Sequence, residues 1–144
     1  MAITSAICNS FKQEILEAEH NFTASSGNTF NMALYDSDAV LSKSTTVYIT
    51  TEELATTGGY TAKGNALTSV TPVLDSDTAV CDFSNSSWTS ASFTARGCLI
   101  FNDSHSSDAA VCAIDFGGDK TVTSGTFTIE FPAAAASTAI IQIA

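Results

Sequence analysis

Basic residues are scarce in this chain. Five lysines and arginines stand against fifteen aspartates and glutamates, for a net charge of −10. Lys12, Lys43, Lys63, Arg96 and Lys120 are scattered along the 144 residues. A nucleic-acid binder needs a clustered basic footprint to displace counterions, so DNA and RNA are excluded as partners. Anionic membrane surfaces are disfavoured on the same ground. Charge of either sign is thin at 14%, well below the usual quarter or so. No apolar run reaches the length of a membrane span.

The motifs of chemistry are missing as well. No Gly-x-Ser-x-Gly elbow and no glycine-rich phosphate loop occurs. His20 and His105 are the sole histidines, and no thiolate or carboxylate accompanies them at zinc-site spacing. Asp36/Asp38 and Asp75/Asp77 could open calcium loops, but the glycine and closing glutamate of an EF-hand are absent, and solvated turn acids account for them. Asp115-Phe116-Gly117 matches the kinase magnesium motif in letters alone; a strand end before a diglycine turn explains it. The expectation is no enzyme, no catalytic residues, no metal and no cofactor.

What is present points to sheets. Hydrophobic residues make up 44%, which suffices for one domain with its own core. Threonine, serine, alanine and asparagine fill the place of charge, a composition suited to strands with hydroxyl-bearing outer faces. It also suits surfaces that pack on other protein, because charge is depleted at interface cores. The opening Met-Ala-Ile-Thr-Ser-Ala-Ile-Cys has no signal-peptide pattern. Cys8, Cys81, Cys98 and Cys112 are therefore expected to be reduced and buried.

Along the chain, Ile7, Phe11, Ile15, Ala18 and Phe22 recur at helical spacing, predicting one helix over about 5–22, with Thr4 or Ser5 as cap. It either closes one end of a sandwich or serves as an arm on a partner. Alternation then predicts strands at 29–35, 45–50 and 78–83, and near 139–143. Thr51-Glu52-Glu53-Leu54 suits a helical turn. The run 67–74 contains Pro72, which removes a ladder donor and makes it an edge or bulged strand. Residues 93–102 and 109–116 read as a hairpin across the loop 103–108. Gly117-Gly118-Asp119-Lys120 reads as a further turn, followed by a strand at 126–131 that Pro132 stops. About eight short strands with turn punctuation predict an all-β, antiparallel β-sandwich or jelly roll, residues 1–144 forming a single domain.

Arg96, the sole arginine, lies between Ala95 and Gly97 at the start of an apolar strand. Its bidentate fork suits an ion pair, either at a strand end within the fold or at an interface. Trp88, Phe93, Phe127 and Tyr60 read as core, with a sugar-stacking platform as the alternative. Arg96, Phe11 and Tyr60 are the interface candidates.

Several stretches carry a resemblance: Ser10-Phe11-Lys12 to His20-Asn21-Phe22, Phe30-Asn31-Met32-Ala33-Leu34-Tyr35, Gly58-Gly59-Tyr60-Thr61-Ala62, Thr94-Ala95-Arg96-Gly97 and Asp115-Phe116-Gly117-Gly118-Asp119-Lys120. With them the chain resembles small structural proteins encoded among the virion genes of tailed bacteriophages. The resemblance implies a virion component made in the host cytoplasm and brings no site residues with it. The expected role is a capsid decoration or cement protein bracing the major capsid protein or other virion proteins. It would act as a homo-oligomer, a trimer suiting lattice junctions. A tail, neck or fibre component, or a virion-surface carbohydrate-binding sandwich, is the alternative.

Overall fold

The computed structural model describes residues 2–144. They form β1 (Ala6–Ile7), α1 (Asn9–Leu16), β2 (Phe30–Tyr35), β3 (Asn65–Ala66), β4 (Ser69–Asp75), β5 (Thr78–Phe83), β6 (Ser86–Asn102), β7 (Ala109–Ile129) and β8 (Ile141–Ile143). Two antiparallel sheets result, in the orders β1-β7-β6-β2-β3 and β4-β5-β8. The chain is an all-β sandwich of eight strands with one short helix.

The β6–β7 hairpin is the centre of the larger sheet. Cys98 to Phe101 and Ala109 to Ala113 are buried on both faces, which is why these stretches read as continuous apolar runs rather than alternating ones. Phe30 and Asn102 are cross-strand partners on one face, Asn31 and Phe101 on the other. The first face meets α1, the segment after it and the small sheet. There Phe22 stacks on Phe30 at 4.2 Å, with Phe11 and Phe83 around the pair. The second face is covered by the long segment 36–64, where Tyr48 stacks on Phe101 at 4.7 Å.

Three local expectations are corrected. The helix spans Asn9–Leu16 instead of about 5–22, and Cys8 stands at its N-cap with no side-chain cap bond. Ala6 and Ile7 are instead taken by β7 as a short edge strand. The helix stops because Ala18 turns left-handed (φ 61°). Its amide bonds Ile15 O, and that of Glu19 bonds Glu14 O at 3.0 Å, closing a Schellman motif. Glycine is the residue that normally announces such a stop, and alanine concealed it. Residues 45–50 pair with the sheet through one bridge, Val47 with Ala109, and form no strand. The stretch 51–54 is a turn with Glu52 left-handed (φ 60°), not a helical turn.

Gly117-Gly118-Asp119-Lys120 does not reverse the chain. The pairing steps from Gly97↔Asp115 to Ala95↔Lys120, so Phe116 to Asp119 bulge out opposite Arg96 and β7 runs on. The strands expected at 109–116 and 126–131 are thus one. A bulge bends a ribbon without ending it, and Gly117 supplies the left-handed residue (φ 77°). Pro72 acts as expected: β4 is an edge strand with a register shift between Val70 and Val73.

Candidate functional site

Arg96 faces the bulge it helps to shape. Its Nε donates to Asp115 Oδ1 at 3.1 Å, and Nη1 lies 3.7 Å from Asp119 Oδ1. The Gly117 amide also donates to Asp115 Oδ1, at 2.9 Å. These two groups, the amide first, hold the Asp115 carboxyl below the usual carboxylate range. The Asp-Phe-Gly letters are therefore the pinned base of a bulge. Arg96 keeps 37% of its side chain exposed, so the ion pair leaves part of the guanidinium at the surface.

The other two interface candidates are core residues. Phe11 is 3% exposed, packed between His20 and Phe22. Tyr60 is 2% exposed and Trp88 4%. Neither the Tyr60 nor the Trp88 ring offers a face to a sugar or a partner, whereas Phe93 and Phe127 are half-buried.

Tyr60 belongs to a polar cluster that clamps segment 36–64 to the sheet. Its hydroxyl accepts from the Leu34 amide at 3.0 Å and donates to Glu53 Oε1 at 2.7 Å. Glu53 Oε1 also accepts the Lys63 amide at 2.6 Å, and Oε2 accepts the Tyr48 hydroxyl. Burial first, then the Glu53 carboxylate, pushes the Tyr48 and Tyr60 phenols well above their ordinary range. Lys63 Nζ bridges Asp103 and Asp108, each at 2.8 Å, above the rings of Tyr48 and Phe101. Nothing in the spacing of these residues along the chain announced the cluster.

A second cluster surrounds the histidines. The His20 side chain is fully buried; Nε2 lies 2.8 Å from Glu14 Oε2 and Nδ1 3.1 Å from Asn102 Nδ2. An amide nitrogen donates, so the network assigns Nδ1 as acceptor and places the proton on Nε2. Asn102, 0% exposed, also reaches Asn28 and Ser104, tying the segment after α1 to the hairpin tip. His105 lies 3.4 Å from Glu19, and its Nδ1 takes both the hydroxyl and the amide of Ser107, at 2.9 and 3.2 Å. The order Ser–His–Glu is that of a hydrolase triad. Here the doubled contact to one nitrogen closes the tip of a loop, and the main clefts are lined elsewhere.

Carboxylate oxygens of Asp36, Asp38 and Glu52 lie within 4.8 Å of one another. Among the described residues this is the grouping that could hold a cation. Asp36 Oδ1 already accepts the Asp38 amide at 2.9 Å, as a solvated aspartate turn does. All four cysteines are free and buried. Burial pushes the Cys8 thiol up to about 11 and those of Cys81 and Cys98 to about 12, which leaves little thiolate for attack on anything.

Apolar surface is more conspicuous than any of these groups. Leu74, Ala79 and Ile143 form one row across the small sheet, with Leu74 74% and Ile143 57% exposed. Beside it a cleft of about 130 Å³ opens between α1 and the sheet, lined by Phe11, Ile15, Phe22, Pro72, Ile141 and Ile143. Leu16, at the end of α1, is 87% exposed. A larger cleft of about 520 Å³ follows β7, lined by Ile114, Phe116, Phe127, Ile129, Phe131 and Ile140, with Lys120 and Glu130 at its rim. No protein-family model, no curated protein and no solved structure matches this chain.

Proposed function

We propose that this chain is a structural component of a tailed-phage virion, a decoration or cement protein that braces the major capsid protein. The observation that carries the reading is the exposed apolar row Leu74–Ala79–Ile143 beside the β4–β5 turn of the small sheet, with Leu16 exposed on α1. Large aliphatic side chains left in water on a strand row mark contact surface. Burying them at a subunit junction yields area and shape fit without chemistry. The resemblance to virion proteins supplies the setting. The acidic surface suits a protein that need not touch packaged DNA.

The test is a particle lacking the protein. Such capsids are expected to lose resistance to heat or low salt, and adding back the purified chain restores it. Adding back Leu74→Asp/Ile143→Asp does not. Unchanged resistance without the protein, or about a dozen copies or fewer per particle by imaging, removes the cement role.

A further inference from the structure

We infer that residues 132–143 are a strap that opens as a unit over β5, and that the buried carboxylate of Asp82 sets how firmly it stays shut. The strap leaves β7 near the end of β5, where Asn85 Oδ1 accepts the Phe131 amide at 2.9 Å. It reaches the other end of β5, where the Ala136 amide donates to Asp75 Oδ2 at 2.7 Å and Asp75 pairs with Thr78. There it turns, Ala139 N bonding Ala135 O at 2.9 Å, and comes back as β8. Val80 and Asp82 share one face of β5. Both are buried, while Val73 and Val70, their partners on β4, are exposed. The cover over this face is therefore narrow. Gln142 pairs with Val80 and donates to Ala139 O at 2.9 Å, which sets the strap's turn above the same face.

Few contacts hold the strap. From Pro132 to Ile143 only Ala139 and Ile141 are buried. β8 pairs with β5 over three residues. Pro132 and Ala133, where the strap begins, are exposed and outside any strand. A segment with so little buried apolar contact opens at a lower free energy than the core it covers. Opening bares the β5 edge at Ala79 to Cys81, which β8 otherwise pairs.

The covered carboxylate weakens the closure further. The Phe83 amide donates to Asp82 Oδ1 at 2.8 Å, and the Ile140 amide on the strap faces the same carboxylate. Oδ2 has no partner among the described residues. An ionised carboxylate shut away with one oxygen unmet costs free energy that water returns when the strap lifts. The titratable groups nearby are the Cys81 thiol, next along β5, and Asp75 at the strap's turn. Among the described residues no ion pair reaches Asp82. Burial raises the Asp82 pKa, ahead of the two backbone amides that lower it. Asp82 thus favours closure below about pH 4, where the carboxyl is neutral in either state, and opposes it as pH rises through the raised value. This behaviour belongs to the purified chain and stands apart from the virion role.

Hydrogen exchange of the purified chain reads the strap directly. Corrected for intrinsic rates, amides over 139–143 are expected to exchange on the order of a hundredfold faster than those of Cys98 to Phe101, and to be insensitive to dilute urea, as a local opening is. Asp82→Asn is expected to slow the strap on the order of tenfold at about pH 7 and to leave it nearly unchanged at about pH 4. Strap amides that exchange as slowly as the hairpin overturn the inference, because the strap then opens only with the whole fold. So does a strap rate that Asp82→Asn leaves alone at about pH 7, or a slowing of the same size at both pH values. In either case the charge of Asp82 is not what loosens the strap.

Discussion

Replacing Glu53 by alanine strips the acceptor from three donors at once. The Tyr60 hydroxyl is buried and has no second acceptor in its shell, so its loss costs about 1–3 kcal/mol for an unmet donor. The Lys63 amide and the Tyr48 hydroxyl are half-buried and can turn to water, at about 0.5–1 kcal/mol each. The expected total is about 2–5 kcal/mol, a large share of the roughly 5–15 kcal/mol that holds a domain together. Glu53→Gln keeps the oxygen that serves Tyr60 and Lys63 and presents an amide to Tyr48, whose hydroxyl can accept; it should cost about 1 kcal/mol. Urea unfolding followed by Trp88 fluorescence reads both, because Trp88 is buried 6.4 Å from the Tyr60 ring. The phenols add a pH signature. Their raised pKa values contribute stability that is present below about pH 10 and lost as pH rises through the folded values. Glu53→Ala costing less than about 1 kcal/mol, or matching Glu53→Gln, would refute the hydrogen-bond count.

Three further outcomes can be checked by equilibrium unfolding. Asp82 is 1% exposed, and its Oδ2 has no partner among the described residues. Burial raises its pKa, so Asp82→Asn should gain about 1–2 kcal/mol at neutral pH, a gain that shrinks as acid protonates the native aspartate; a loss at neutral pH would contradict this. Arg96→Ala should lower Tm modestly at about pH 7. Asp115 is held low, so its contribution is present above about pH 4 and lost as pH falls through the depressed value; the gap between variant and native protein should narrow with it. An unvarying gap would mean that Arg96 acts through packing alone. Gly64 has φ +65° and no room for a Cβ against the Met32 carbonyl, so Gly64→Ala should cost more than about 2 kcal/mol, and a neutral result would show that the 63–64 turn can be rebuilt.

Legibility differed between elements for identifiable reasons. The run 78–83 alternates and ends in turn residues, and β5 occupies Thr78–Phe83 as expected. The 103–108 loop sits between two apolar runs, so the hairpin was evident. The helix end was hidden because Ala18, not glycine, takes the left-handed position. The diglycine at 117–118 looked like a reversal because a bulge and a turn demand the same residues. Of the named candidates, Arg96 was recognisable as an ion-pairing residue, but it lies inside β6 opposite a bulge and not at a strand start. Phe11 and Tyr60 were visible as large rings, but whether a ring faces a core or a partner depends on what folds over it.

By itself the sequence determined the class of molecule. Period-two patterning, hydroxyl-rich outer positions and turn residues at short intervals admit an all-β sandwich. These are local properties, carried by each segment on its own. The tertiary structure decided everything that joins distant segments: Glu53 with Tyr48, Tyr60 and Lys63; His20 with Asn102; and the order of the strands in the two sheets. Such contacts depend on which elements become neighbours. Loop path and the competition for buried area settle that, and a single segment does not encode it.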